Sequence, residues 1–130
     1  MDLRLKDSTP TTMAADTIQR CHPGKRLSDA VVHGSTIYLA GQVASDPAAD
    51  VGAQTKDILG QIDRLLAELG SSKARLLSTT IYLVDMADFA AMNEVWDAWV
   101  PRDNLPARAT VQARLARPEY RIEIQAIAAR

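Results

Sequence analysis

Apolar residues recur at two distinct spacings along the 130-residue chain, and these spacings predict its helices and strands. Between Asp50 and Leu69, aliphatic side chains return every three or four positions, which predicts an amphipathic helix. Asp50 is suited to cap the start of this helix, and Gly70 is suited to the position just beyond its end. A second helical pattern covers residues 87–100 and is ended by Pro101.

Alternating β-branched and aromatic residues predict the strands. Residues 30–43 are expected to form a hairpin, because Gly34 can adopt the positive φ of a tight turn. Gly41 interrupts the end of this hairpin, which indicates a bulge or a close approach by another group. Further strands are predicted at residues 17–21, 76–85, 108–115 and 120–128.

This order of elements predicts one two-layer α+β domain, with two helices on one face of a mixed β-sheet. The domain spans residues 1–130, and residues 1–16 are expected to be a loose N-terminal segment. The other sheet face is expected to be polar and able to meet another subunit. Its predicted members are Arg108, Thr110, Gln112, Arg121, Glu123 and Gln125.

Charge and composition disfavour several classes of function. The chain has 15 basic and 16 acidic side chains, so no strong field attracts nucleic acid or an anionic membrane. Residues 1–12 lack the apolar run of a signal peptide, and no stretch approaches the roughly 20 apolar residues of a membrane span. We therefore expect a cytoplasmic protein.

Cys21 is the only cysteine, which excludes an internal disulfide and a metal cluster built on several thiolates. His22 and His33 lack the spacing of a metal motif, so no metal site is predicted. Phosphate-binding glycine loops and hydrolase motifs are also absent from the sequence. The remaining candidates for chemistry are charged residues on the two C-terminal strands.

Arg108 and Glu123 form that candidate pair. An arginine at the start of a strand, fixed by residues 106–107, suits a bidentate grip on a small carboxylate. A nearby glutamate can orient a water molecule and accept its proton. Periodicity alone favours a plain cross-strand salt bridge between the two, so their spacing does not establish a site.

Several dispersed motifs between residues 28 and 130 resemble the YjgF/YER057c/UK114 (RidA-like) family. Residues 106–111 (PARATV) and residues 121–128 (RIEIQAIA) are similar to the paired C-terminal motifs of that family. Residues 37–42 (IYLAGQ) resemble its strand ending in S-G-Q, and residues 88–93 (DFAAMN) resemble its second helix. The motifs occur in the family's order, which makes the likeness specific.

The resemblance implies a chorismate-mutase-like (AroH-like) fold assembled as a homotrimer, with ligand sites in the clefts between subunits. Well-known members hydrolyse reactive 2-imino acids or enamines to 2-oxo acids and ammonia, and they need no cofactor. The implied partner is therefore a small 2-imino or 2-oxo acid.

Carried to this chain, the resemblance implies that Arg108 clamps the substrate carboxylate and that Glu123 positions the attacking water. These two residues would be catalytic. The backbones of Gly41 and Thr110 would contact the ligand, and Asn93 occupies a family position near the cleft.

The chain departs from the family pattern at three positions. Leu27 stands where active deaminases of the family usually have a tyrosine, and Ala40 replaces the serine of S-G-Q. Thr110 stands where a cysteine is common. Since the carboxylate anchor is kept, we expect a shifted substrate preference or weak activity.

Three alternatives remain open from the sequence. One is a non-catalytic trimer that binds or senses small carboxylates, which the loss of the tyrosine and serine favours. Another is an endoribonuclease or translation inhibitor, which the formal charge of −1 disfavours. The last is a structural role in which Arg108 and Glu123 form only an ion pair.

Overall fold

A computed structural model describes residues 16–130, and residues 1–15 of the predicted loose segment lie outside it. The strands are β1 (Ile18–Pro23), β2 (Ser28–His33), β3 (Thr36–Leu39), β4 (Leu76–Leu83), β5 (Ala107–Gln112) and β6 (Ile122–Ala129). The helices are α1 (Val51–Glu68) and α2 (Phe89–Trp99). A short 3₁₀ turn at Lys73–Arg75 follows α1, and another at Met86–Asp88 precedes α2.

The six strands form one mixed sheet in the order β1-β2-β3-β6-β4-β5. Every neighbouring pair is antiparallel except β4 and β5, which run parallel. Both helices contribute buried residues to a single hydrophobic core on one face of the sheet. The predicted two-layer α+β fold is therefore confirmed.

Helix α1 begins and ends where the sequence predicts. Asp50 Oδ1 accepts a hydrogen bond from the backbone N–H of Ala53 at 2.8 Å, which caps the amino end. Gly70 has a φ of 77°, and the Ser71 N–H donates to the Leu66 carbonyl at 2.8 Å, which completes a Schellman motif.

Neither helix within residues 16–130 combines the length and the apolar character that a membrane span requires.

Aliphatic side chains on one face of α1 supply much of the core. Each fully buried side chain of this kind stabilises the fold by roughly 1.5–3 kcal/mol relative to exposure. The buried aliphatic residues of the helix are Val51, Ile58, Leu59, Ile62 and Leu66.

Helix α2 starts later than its pattern predicts, because a short 3₁₀ turn at Met86–Asp88 precedes it. Met92 and Trp96 are buried in the core, whereas Phe89 is 38% exposed. The apolar face of α2 thus packs mainly in the core, and Phe89, at the start of the helix, remains at the surface.

The predicted hairpin is confirmed, with Gly34 at a φ of 62° in the turn between β2 and β3. Strand β4 departs from regular alternation at its start. A register shift between Leu76 and Ser78 buries Leu76 and turns Leu77 outward.

The predicted polar sheet face was wrong in part, because β5 pairs with β4 and not with β6. Arg108 pairs with the buried Thr79, and Thr110 pairs with the buried Ile81, so both face the helices. Glu123 pairs with Tyr82 on the opposite, open face. Gln112 follows Arg108 and Thr110 to the helix side, and Gln125 shares the open face with Glu123.

Gln54 is a polar residue of α1, and it is fully buried. Its amide nitrogen lies within 3.2 Å of the carbonyl oxygens of Pro47, Ala49 and Glu119. Its amide oxygen accepts the Arg121 N–H at 2.9 Å. A buried amide is tolerated here because it pairs backbone groups of two loops that the helix covers.

Replacing Gln54 by leucine should lower the free energy of unfolding by about 2–4 kcal/mol, because buried backbone groups lose their partner. Urea denaturation measures the loss. Lys56→Leu, an exposed position on the same helix, is the matched control and should change stability little. Equal effects of the two substitutions would contradict the role assigned to Gln54.

Candidate functional site

Arg108 lies near the start of β5, on the helix side, and its guanidinium is held by three neighbours from α2. Nη1 donates a hydrogen bond to Asn93 Oδ1 at 2.8 Å. The guanidinium carbon lies 5.3 Å from the ring centroid of Trp96 and 6.0 Å from that of Phe89. Cation–π contacts and one hydrogen bond therefore fix a half-buried cation at the margin of the helix layer.

No carboxylate pairs with Arg108 among residues 16–130. By contrast, Arg121 lies 2.6 Å from Asp88, and Arg117 lies 2.9 Å from Glu119. The hydrogen bond to the Asp88 carboxylate raises the pKa of Arg121. A hydrogen bond from its own backbone, followed by the one from Arg117, lowers the pKa of the Glu119 carboxyl. Most N–H donors of Arg108 thus have no carboxylate partner within residues 16–130.

Glu123 lies on β6 and faces Gly41 on the open side of the sheet. A Cβ atom on Gly41 would lie 2.8 Å from Glu123 Cδ and closer still to Oε2. Reciprocal backbone hydrogen bonds of 2.8 and 3.1 Å between Gln42 and Ile124 press this segment against β6. The predicted close approach at Gly41 is confirmed, and the approaching group is the Glu123 carboxylate.

A cavity of about 290 Å³ opens beside Glu123, and Tyr82, Gln125 and Arg114 contribute to its walls. Strand β5 ends at Gln112, so the alternation no longer governs where Arg114 lies. The guanidinium of Arg114 therefore belongs to a residue that lines the cavity next to Glu123, and periodicity did not predict this position.

Arg108 and Glu123 are not brought together within one chain. Strand β4 separates β5 from β6, and the two side chains lie on opposite faces of the sheet. The described ion pairs do not include an Arg108–Glu123 contact, so the hypothesis of a structural salt bridge within the chain was wrong. The predicted site instead falls into two halves, with Arg108, Thr110 and Asn93 in one and Gly41 and Glu123 in the other.

Two buried hydroxyl groups lie on the sheet next to the Arg108 half. Thr79 is the cross-strand neighbour of Arg108, and Thr110 follows Arg108 by two positions on the same face. The Oγ1 atoms of both threonines are buried and have no hydrogen-bond partner in the described part of the chain. Unpaired hydroxyls cost stability, so they mark the wall of the Arg108 half as polar beyond the needs of packing. Thr79 was not predicted.

A second group of ionisable side chains lies at the opposite edge of the sheet, on β1. Cys21 Sγ donates to Glu68 Oε2 at 3.6 Å, and His22 Nε2 lies 2.7 Å from the same oxygen. Burial and, to a lesser degree, the charge of Glu68 raise the pKa of the Cys21 thiol. Sequence reasoning missed this group because Cys21 and Glu68 are 47 residues apart along the chain.

Comparisons with known proteins agree with this architecture. Residues 17–130 match a family model described as Endoribonuclease L-PSP. RutC family protein YoaB of Escherichia coli (strain K12) is 47% identical over 113 residues, which cover 87% of this chain and 98% of the relative. A crystal structure of a YjgF-family protein from Neisseria meningitidis has a TM-score of 0.85 and 49% identity, covering 89% of this chain and 97% of its own.

A more distant relative carries a more specific name. A protein of Rattus norvegicus named 2-iminobutanoate/2-iminopropanoate deaminase is 35% identical over 107 residues. The match covers 78% of this chain and 77% of the relative.

Substituting Gly41 by alanine should displace the Glu123 side chain while leaving the fold intact. The φ of Gly41 is not in the left-handed region, so only the added Cβ matters. The long glutamate side chain can move away, and we expect a stability loss below about 1 kcal/mol. A crystal structure of Gly41→Ala would reveal the displacement.

The matched control is Gly60→Ala, where the nearest atom to a new Cβ lies 3.5 Å away. This variant should leave Glu123 where it is. An unmoved Glu123 carboxylate in Gly41→Ala would disprove the tight contact described above.

Proposed function

Since the chain belongs to the YjgF/YER057c/UK114 family, whose curated relatives carry the RutC name, we propose that it is a homotrimeric deaminase. It hydrolyses 2-imino acids or enamines to 2-oxo acids and ammonia. The printed name of the rat relative supports this reaction class. The observation that carries the proposal is the half-buried guanidinium of Arg108, which has no carboxylate partner among residues 16–130.

Arg108 acts as the clamp for the substrate carboxylate. Asn93 engages one guanidinium nitrogen, and the rings of Trp96 and Phe89 fix the plane of the group. A fixed plane with free N–H donors suits bidentate binding of a planar carboxylate, and little entropy is lost when the ligand arrives. The clamp thus supplies orientation, which is a large part of what this reaction requires.

Glu123 acts as the base for the attacking water. In the proposed step, the water oxygen bonds to the imine carbon, the C=N double bond becomes single, and Glu123 accepts a water proton. Glu123 then gives this proton to the nitrogen, ammonia leaves with the electrons of the C–N bond, and the hydroxyl proton passes to Glu123 as the C=O bond of the 2-oxo acid forms. A protonated imine is already electrophilic, so no cofactor is needed in this mechanism.

A trimer allows both residues to serve one ligand. Arg108 and Glu123 lie on opposite sheet faces, so Arg108 of one protomer would act with Glu123 of the partner subunit. Apolar side chains on the exposed surface support assembly, since Tyr38 is 44% exposed and Val111 is 42% exposed. We propose that the enzyme is cytoplasmic and that its partner is a small 2-imino or 2-oxo acid. The formal charge of −1 disfavours nucleic acid as a partner.

A trimer that binds small carboxylates without turnover is the second candidate. It is favoured by Leu27, which is 61% exposed, and by Ala40, since neither side chain offers the hydroxyl that the family resemblance leads one to expect. Such a protein would keep the Arg108 clamp and lose the polar groups that assist the reaction. The same assay separates the two candidates.

Arg108→Ala should reduce deaminase activity at least about 100-fold, because a lost bidentate pair removes orientation as well as charge. An amino-acid oxidase generates the 2-imino acid in situ, and 2-oxo acid formation is followed with and without the protein. Arg75→Ala, at an exposed arginine outside the site, is the control and should keep full activity.

Two outcomes would count against the assignment. If Arg114→Ala abolishes turnover and Arg108→Ala does not, the clamp is the wrong arginine. If the wild-type protein never accelerates 2-oxo acid formation, yet 2-oxo acids raise its Tm and Arg108→Ala removes that rise, the binding trimer replaces the enzyme.

Mixed trimers test whether the site is shared. Arg108→Ala and Glu123→Gln should each be inactive alone, but their co-expression should restore about a quarter of wild-type activity, since random assembly leaves that share of sites with both residues. The control mixture combines the single variant Arg108→Ala with a double variant that carries both Arg108→Lys and Glu123→Gln. No site of these trimers keeps both native residues. Failure of the first mixture to recover activity would contradict a site shared between two subunits.

A further inference from the structure

The side chains of Cys21, His22 and Glu68 form a cluster that the proposed deaminase chemistry does not use. Cys21 and His22 come from β1, and Glu68 is the last residue of α1. One potential ligand atom from each residue lies within 4.8 Å of the other two. A thiol, an imidazole and a carboxylate thus converge from two elements of the fold.

Two of the three separations within the cluster are close to those of a tetrahedral zinc site, and the third, between Cys21 and His22, lies within 4.8 Å. With metal–ligand bonds of about 2.0–2.3 Å, two ligand atoms of such a site lie about 3.3–3.8 Å apart. The Cys21 Sγ to Glu68 Oε2 distance of 3.6 Å already falls in that range. The His22 Nε2 to Glu68 Oε2 distance of 2.7 Å needs to open by less than 1 Å, which two half-exposed side chains permit.

The cluster has access to solvent and further donors beside it. His22 and Glu68 line an open cavity of about 440 Å³ whose walls also include Asp29 and Gln61. Arg64 lines the same cavity and lowers its net negative charge. An ion can therefore approach the His22 and Glu68 ligand atoms from this cavity, and the buried Cys21 Sγ lies within 4.8 Å of both. A fourth coordination position is left for water.

The backbone at His22 is held in an unusual conformation. Its φ is 51°, and it is the one non-glycine residue of the described chain with a positive φ. This conformation is costly for a side chain with a Cβ, and such residues cluster at ligand sites. The strained backbone thus lies at the residue that supplies the imidazole of the cluster.

We propose that Cys21, His22 and Glu68 bind a single divalent cation of the zinc class. Zinc accepts sulfur, nitrogen and oxygen ligands together, and three protein ligands leave one position open. Binding displaces the Cys21 thiol proton to solvent, because the thiolate is the form that ligates the ion. The ion would tie the edge strand β1 to the end of α1.

Titration of the metal-free full-length protein with Zn²⁺ by calorimetry tests the site. We expect one ion per chain, and we expect Cys21→Ser, His22→Asn and Glu68→Gln each to weaken binding at least about tenfold. Asparagine tolerates the positive φ at position 22, and glutamine keeps the shape of Glu68, so both variants should fold. Co²⁺ as a probe should give a thiolate charge-transfer band that Cys21→Ser lacks.

His33→Asn is the matched control, because this second histidine is exposed and lies outside the cluster. It should bind Zn²⁺ as the wild type does, and so should Arg108→Ala, which separates this proposal from the deaminase. The proposal is overturned if the three cluster variants bind Zn²⁺ as tightly as the wild type, if His33→Asn weakens binding equally, or if the Co²⁺ complex lacks the thiolate band.

Discussion

The parallel pairing of β5 with β4, on the edge of β4 away from β6, is the constraint on which the rest of the site depends. This pairing places Arg108 beneath α2, where Asn93 and Trp96 hold its guanidinium. The antiparallel pairing of β6 with β4 puts Glu123 on the other face, pressed against Gly41. The two pairings of β4 together leave Arg108 without a carboxylate partner among residues 16–130 and place Glu123 beside a separate cavity.

Local features of the fold could be predicted because neighbouring residues determine them. The cap at Asp50, the left-handed glycines at positions 34 and 70, and the apolar face of α1 depend on contacts within a few positions. The order and faces of β5 and β6 could not be predicted in this way. Alternation gives two faces to each strand, but only long-range pairing decides which face meets the helices.

The candidate site was predicted unevenly for the same reason. The close approach at Gly41 was signalled by a glycine in a strand, whereas the approaching Glu123 was not identified by pattern alone. Gln54 looked like a surface residue, because a polar side chain gives no sign that distant loop carbonyls will surround it. The Cys21 cluster needed α1 to return to β1, and no local spacing indicates that contact.

The two functional regions occupy separate parts of one scaffold, since β1 and β5 lie at opposite edges of the sheet. The deaminase proposal therefore rests on how Arg108 meets a small anion. A crystal structure of the protein soaked with a small 2-oxo acid tests it most directly. The account predicts the ligand carboxylate in a bidentate contact with Arg108 and its carbonyl carbon near Glu123 of the partner subunit. A ligand bound elsewhere, with Arg108 in contact only with Asn93 and solvent, would contradict it.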